Sequence, residues 1–182
     1  MHAKDLGSLH HLRYLKLEGN LETELLEEIG NLQLLKTLDL QRASINELPT
    51  SICRLRKLDC LDVGFVLVIG VDQPFRMFQH PTRCWLVFAK GVMPNLERLK
   101  FCFQVPKREG GDYDIGLENL ASLKHVTVGV DCEGAQIREV DNVETMVRNA
   151  IGMHPNHPTL QLSRYNEDDS DEDTDDSWAS EE

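Results

Sequence analysis

The sequence has no apolar run long enough to cross a bilayer. Its longest, Val63 to Val71, is interrupted by Gly64 and Gly70 and falls well short of the roughly 20 residues that a spanning helix needs. No apolar stretch follows Met1-His2-Ala3-Lys4-Asp5, so no secretory signal is expected. No Asn-x-Ser/Thr occurs, which leaves no N-glycosylation acceptor. The five cysteines, at 53, 60, 84, 102 and 132, include no Cys-x-x-Cys. An odd, scattered set reads as buried reduced thiols and predicts a cytoplasmic protein. Gly-x-Ser-x-Gly, His-Glu-x-x-His and the phosphate loop Gly-x-x-x-x-Gly-Lys-Ser/Thr are all missing. We therefore expect no enzyme, and assign no catalytic residue, cofactor or metal. Gly110-Gly111, in the polar loop Lys107 to Asp114, lacks a phosphate-loop context. His154 and His157 are three apart, but Pro155 and Pro158 forbid the helix that would align them on a metal.

Basic excess is missing too. The net charge is −12 over 182 residues, which opposes a nucleic-acid role, since a duplex binder needs a basic face. The charge is local. Ten of the 31 acids lie in residues 166–182 with no Lys or Arg among them, leaving 21 acids against 19 bases, a net of −2, in the remainder. Residues 166–182 are expected to be a disordered acidic tail. Within it, Ser170-Asp171-Glu172-Asp173 has the acidic flank that acidophilic kinases favour, and Trp178 is the one large apolar anchor.

What is present is a repeat. Leu6, Leu9, Leu12, Leu15, Leu17 and Asn20 spell one unit; Ile29, Leu32, Leu35, Leu38 and Leu40 spell a second, and Ile52, Leu55, Leu58, Leu61 and Val63 a third. Leu15 to Leu38 and Leu38 to Leu61 are both 23 residues. Met93, Leu96, Leu99 and Phe101 follow after a 38-residue step, and Leu117, Leu120, Leu123, Val126 and Val128 after 27 more. In L-x-L both leucines point to one face of an extended strand. L-x-x-L matches one turn of helix or 3₁₀ structure. One such unit cannot bury its own leucines, so units must stack. The prediction is an α/β solenoid over 1–165, curved into a horseshoe segment with a parallel sheet on its concave side.

Stacking sets the outward strand positions in columns. The first is Tyr14, Thr37, Cys60, Arg98 and His125; the second is Lys16, Asp39, Asp62, Lys100 and Thr127. The third is Glu18, Gln41, Gly64, Cys102 and Gly129. Mixed charge on a stiff, solvated surface suits protein recognition, so these columns are the expected partner-binding face.

The pattern fails over 64–92. Val66 to Ile69 and Cys84 to Phe88 have the composition of buried strands, and the region is either a degenerate repeat or an insertion. Phe75, Met77, Phe78 and Trp85 there read as core. An amphipathic stripe from about 137 to 151, stopped by Gly152 and Pro155, predicts a capping helix for the last layer, with Thr159 to Leu162 as a possible final strand. At the other end Leu6 and Leu9 are expected to leave an apolar face open, as where a preceding domain, an oligomer contact or a truncation stands.

Leu9 to Leu17, Ile29-Gly30-Asn31-Leu32 through Leu40, and Glu47-Leu48-Pro49-Thr50-Ser51-Ile52 resemble the leucine-rich repeats of plant intracellular nucleotide-binding disease resistance proteins, cereal coiled-coil type. Gly91 to Leu99, Gly116-Leu117-Glu118-Asn119-Leu120, Cys132 to Ala135 and His154 to Leu160 are similar to the C-terminal end of that region. The resemblance implies a role in plant defence and innate immunity. Its partners would be pathogen effectors, or a receptor's nucleotide-binding domain restrained in cis or in trans. The nucleotide-binding and coiled-coil domains of such receptors have no counterpart in this sequence. Two further readings stand beside it: a general leucine-rich-repeat adaptor or scaffold, and a truncated receptor relative without independent activity.

Overall fold

The computed structural model describes residues 6–44, 48–65, 88, 90–105 and 116–166. The L-x-x-L steps become single tight turns. Leu12, Leu35, Leu58 and Leu123 each donate the backbone N–H to the leucine three residues earlier, at 2.9, 2.8, 3.1 and 3.1 Å, and Leu96 donates likewise to Met93 at 3.0 Å. Each turn delivers the chain into a strand: β1 (Tyr14–Asn20), β2 (Thr37–Ser44), β3 (Cys60–Phe65), β4 (Arg98–Gln104) and β5 (His125–Asp131), with β6 (Thr159–Tyr165) last. The six strands form one parallel sheet in chain order. Return segments include helix α1 (Thr23–Ile29), 3₁₀ turns Thr50–Arg54 and Leu117–Asn119, and helix α2 (Ile137–Met153). This is the expected open leucine-repeat solenoid.

The strand starts are joined by a repeated device, in which one carbonyl accepts two N–H groups from the next unit. Arg13 accepts from Lys36 and Thr37, Lys36 from Asp59 and Cys60, Asp59 from Glu97 and Arg98, and Glu97 from Lys124 and His125, all within 2.8–3.0 Å. Above it the inward residues stack in register: Leu15, Leu38, Leu61, Leu99, Val126 and Leu160. From Leu38 to Val126 their exposure is at most 1%. Each such side chain contributes about 1.5–3 kcal/mol by leaving water.

The sheet runs on directly across the 38-residue step. β4 pairs directly with β3, Cys60 opposite Arg98 and Leu61 opposite Leu99, so no further rung of sheet stands between them. Val66 to Ile69, Cys84 to Val87, Phe75, Met77, Phe78 and Trp85 lie outside the described residues. Phe88 is described and is 1% exposed, and its carbonyl accepts from Asn119 Nδ2 at 2.9 Å.

Two central strands carry bulges. Lys16 faces Asp39 but Glu18 faces Arg42, so β2 holds one extra residue. Asp62 faces Lys100 but Phe65 faces Cys102, so β3 does as well. Gly64 sits at this distortion. A Cβ there would lie 2.3 Å from the Gln41 carbonyl oxygen, which only a missing side chain permits.

At the ends the structure departs from expectation. Helix α2 extends two residues past 151, because Gly152 faces open space and the helix closes only at His154, whose N–H reaches Ile151 O at 3.1 Å. The helix is not the terminal layer; it is the return between β5 and β6, burying Val140, Val143, Val147 and Ile151. β6 is pinned back on it by Arg164, whose Nε donates to Glu144 at 2.7 Å and whose guanidinium also reaches Asp141 at 3.1 Å. At the N-terminal end Leu6 is buried, 3% exposed, since its carbonyl accepts from Leu9 N–H and the turn tucks it onto the core. Leu9 is 41% exposed. Residues 167–182 and Lys107 to Asp114 lie outside the described residues. No helix among the described residues is long and apolar enough to cross a membrane.

Two glycine substitutions separate close approach from mere flexibility. Gly64→Ala is expected to lower stability by ~1–3 kcal/mol by forcing apart the backbones of β2 and β3. Gly152→Ala, with nothing within 4 Å of its Cβ, raises it by ~0.5–1 kcal/mol. Urea-unfolding midpoints of the two variants measure both; equal shifts would contradict the bulge geometry.

Candidate functional site: the concave face

The outward positions follow from the period-2 alternation of each strand, fixed by the buried leucines between them. The first expected column is in register throughout: Tyr14, Thr37, Cys60, Arg98 and His125 are successive neighbours, and Thr159 of β6 continues it. The second is also continuous, as Lys16, Asp39, Asp62, Lys100 and Thr127, and Gln161 extends it. The third column is corrected. Arg42, not Gln41, stands opposite Glu18, and Phe65, not Gly64, stands opposite Cys102. The bulges in β2 and β3 are the cause, and the step from Cys102 to Gly129 keeps the expected register, continuing to Ser163.

The second column has a charge order of plus, minus, minus, plus. Asp39 and Asp62 are direct neighbours on parallel strands, an arrangement that like charges disfavour. Each is relieved from its outer side: Lys16 Nζ lies 4.0 Å from Asp39, and Lys100 Nζ lies 3.5 Å from Asp62. Asp39 has a second task, because its Oδ1 accepts the backbone N–H of Gln41 at 3.1 Å. The bulge takes that N–H out of the ladder, and the carboxylate satisfies it. Asp62 has no such use. Its Oδ1 is buried and has no hydrogen-bond partner among the described residues. Burial pushes the Asp62 carboxyl above its usual value, Lys100 pulls it back and Asp39 pushes it further.

Several neighbours complete the surface. Lys16 also meets Glu18 at 3.0 Å, and Arg42 meets Glu18 at 3.9 Å. Arg98 lies 3.8 Å from Asp59, and Lys124 bonds Glu97 at 2.7 Å. His125 Nδ1 and Thr159 Oγ1 are 2.6 Å apart. Tyr14, 56% exposed, is the open aromatic of the N-terminal rung. Arg42, Asp59, Ser163 and Tyr165 had escaped the sequence columns. Arg42 arrives through a bulge that no residue type announces, whereas Ser163 and Tyr165 continue the visible alternation of Thr159 and Gln161.

The thiols on and near this face are not activated. Burial raises the thiols of Cys60 and Cys102, and pushes Cys53 up to about 12, the reverse of what a nucleophilic thiol needs. Among the described residues no group of three or more His, Cys, Asp or Glu is placed to hold a metal. His154 is fully buried and its Nδ1 accepts the Asn156 N–H at 3.1 Å, a structural bond that ends α2.

The family model for a leucine-rich repeat region matches residues 1–70 and 73–160. The match resumes within the 64–92 stretch, beyond Val71 and Asp72, and runs to the start of β6. No curated protein matches the chain.

The raised Asp62 carboxyl has a testable sign. Folding favours its protonated form, so its contribution is greatest below the unfolded value near 3.8 and is lost as pH rises through the higher folded value. Asp62→Asn is therefore expected to raise the melting temperature at pH 7, by an amount that shrinks as pH falls toward 3.8. A lower melting temperature at pH 7 would show that Lys100 outweighs burial.

Proposed function

The chain belongs to the leucine-rich repeat family, and on that basis we propose that it is a protein-interaction module whose concave face binds a partner protein. One observation carries this reading: two unbroken outward columns, six residues each, standing on a sheet whose other face is core. Side chains fixed that way lose little freedom on binding, and mixed charge selects partners by complementarity. The residues that would make the contact are Tyr14, Lys16, Glu18, Thr37, Asp39, Cys60, Asp62, Arg98, Lys100, His125 and Thr127, with Gln41 replaced by Arg42 beside Glu18. No catalytic step is assigned to them.

The finer reading places this module in plant defence, in the cytoplasm, where it recognises pathogen effectors or restrains the nucleotide-binding domain of a receptor. Its support is the resemblance of Ile29 to Leu40, Glu47 to Ile52 and Cys132 to Ala135 to repeats of such receptors. The thiols of Cys53, Cys60 and Cys102 accord with a reducing compartment.

The test is capture by a panel of pathogen effectors and isolated plant nucleotide-binding domains, with affinities then measured for variants. Tyr14→Ala and the pair Lys16→Glu, Lys100→Glu are expected to weaken a captured partner tenfold or more, as interface anchors do. Asn142→Lys, on the exposed face of α2, should leave it unchanged, and circular dichroism confirms folding. Unchanged binding by the concave variants, with loss in Asn142→Lys, would overturn the assignment.

A further inference from the structure

Fourteen Lys and Arg stand among the described residues, and ion pairs within 4.0 Å engage seven of them. Of the seven that meet no carboxylate among the described residues, five gather at one place, the turns that lead into β1, β2 and β3. Arg13 and Lys36 immediately precede β1 and β2, and the Arg13 carbonyl accepts the Lys36 N–H at 2.8 Å. Arg56 and Lys57 are the middle pair of the tight turn before β3, between Leu55 and Leu58. Both of those leucines are fully buried, so the pair between them stands out into solvent. Arg54 is carried on the same turn, its carbonyl accepting the Arg56 N–H at 2.8 Å. All five residues are exposed. Three rungs at the spacing of neighbouring strands make this edge about 10 Å wide.

Like charges set side by side are destabilising, and later rungs of the same edge avoid them. There the residue leading into the strand is paired: Glu97 accepts Lys124 Nζ at 2.7 Å, and Asp59 meets Arg98 at 3.8 Å. Glu28 of α1 is engaged as well, by Asn31 Nδ2 at 3.0 Å. A chain of net charge −12 does not lack acids with which to neutralise five cations. An open basic edge serves no contact of the fold, and it suits an anionic ligand by charge complementarity. We propose that this strand-start edge, Arg13, Lys36, Arg54, Arg56 and Lys57, docks a carboxylate-rich segment of a partner protein. The other polyanions fit less well. The net −12 of the chain repels a duplex or an anionic bilayer, whose charge is extended. The three turns hold no Phe, Tyr or Trp on which a base would stack. An acidic helix, about 10–12 Å across, matches the width of the three rungs. The edge also adjoins the first outward column, since Tyr14 and Thr37 directly follow Arg13 and Lys36, so one partner can span both. That the ligand is a protein rests on the interaction-module reading above; the basic edge does not need the concave face.

Fluorescence anisotropy of a labelled oligoglutamate peptide, titrated with the full chain, reads the contact. Binding is expected at about 20 mM salt and is lost at about 1 M. Lys36→Glu with Lys57→Glu is expected to weaken it at least about tenfold, and Lys36→Gln with Lys57→Gln less strongly in the same direction. Arg138→Glu, Asn142→Glu and Asn149→Glu, all at exposed positions of α2, make the same total change in net charge as the two lysine reversals. That triple variant is expected to leave the affinity within about twofold. Circular dichroism confirms that each variant folds. An equal loss in the α2 variant would make the effect one of net charge and overturn the assignment. So would no binding at about 20 mM salt, or binding that survives about 1 M. Tighter binding of oligothymidylate or of phosphatidylserine vesicles than of the peptide, lost with the same two lysines, would give the edge to nucleic acid or to membrane and overturn the protein occupant. Each of these failures leaves partner capture by the concave face to be judged on its own.

Discussion

Everything in this molecule hangs on the in-register stacking of one buried residue per strand. Leu15, Leu38, Leu61, Leu99, Val126 and Leu160 stand side by side because each strand begins on the same carbonyl device, one acceptor taking two N–H groups from the unit that follows. Neither part works alone. A single unit has no second layer for its leucines, and a parallel pair without apolar backing would leave its ladder in water. Together they fix spacing, direction and register at once. The device tolerates large excursions outside the sheet: the join from Asp59 to Glu97 and Arg98 has the same geometry as the joins across 23-residue units, although the chain travels 38 residues between the two leucines concerned.

The outward face is a consequence of that stack. Once the inward residues are set, alternation forces the outward ones into rows, and their charges meet whatever stands on the next rung. The arrangement exacts a local cost where Asp39 faces Asp62, relieved by Lys16 and Lys100 on the outer sides and, for Asp39, by the amide that the bulge at Gln41 releases. Asp39 is thus both a surface charge and a brace for the backbone, whereas Asp62 bears burial without that return. A buried carboxylate oxygen with no hydrogen-bond partner among the described residues, in the middle of a solvated face, is the kind of feature that stability alone does not explain.

Much of this was legible in the sequence, and the limits have physical causes. The 23-residue spacing and the L-x-L steps determine strand starts, so Tyr14, Thr37, Cys60, Arg98 and His125 line up as expected. The first two columns lie near those starts, where the double-acceptor joins hold register. The third lies beyond the bulges. Beside the β3 bulge Gly64 packs closely against the Gln41 carbonyl, a contact between units that spacing within a unit does not encode. Likewise the amphipathic stripe located α2 correctly but not its place: an apolar stripe states that a helix is covered, not whether another strand follows. Gly152 read as a stop because glycine weakens helices, yet on an exposed face it is merely a poor residue and the helix continues to Met153. The plant-defence reading rests on resemblance of repeat residues alone, and partner identity lies in the partner's complementary charges.

The central claim is that β4 stacks directly on β3, making the columns continuous across the 38-residue step. Amide hydrogen exchange at Glu97 and Arg98 tests it most directly, because both N–H groups donate to Asp59 O at 2.9 Å. The account predicts protection at these two amides comparable to that at Lys124 and His125, one rung later. Free exchange at Glu97 and Arg98, with Asp59, Cys60, Lys124 and His125 protected, would break the sheet in two and contradict it.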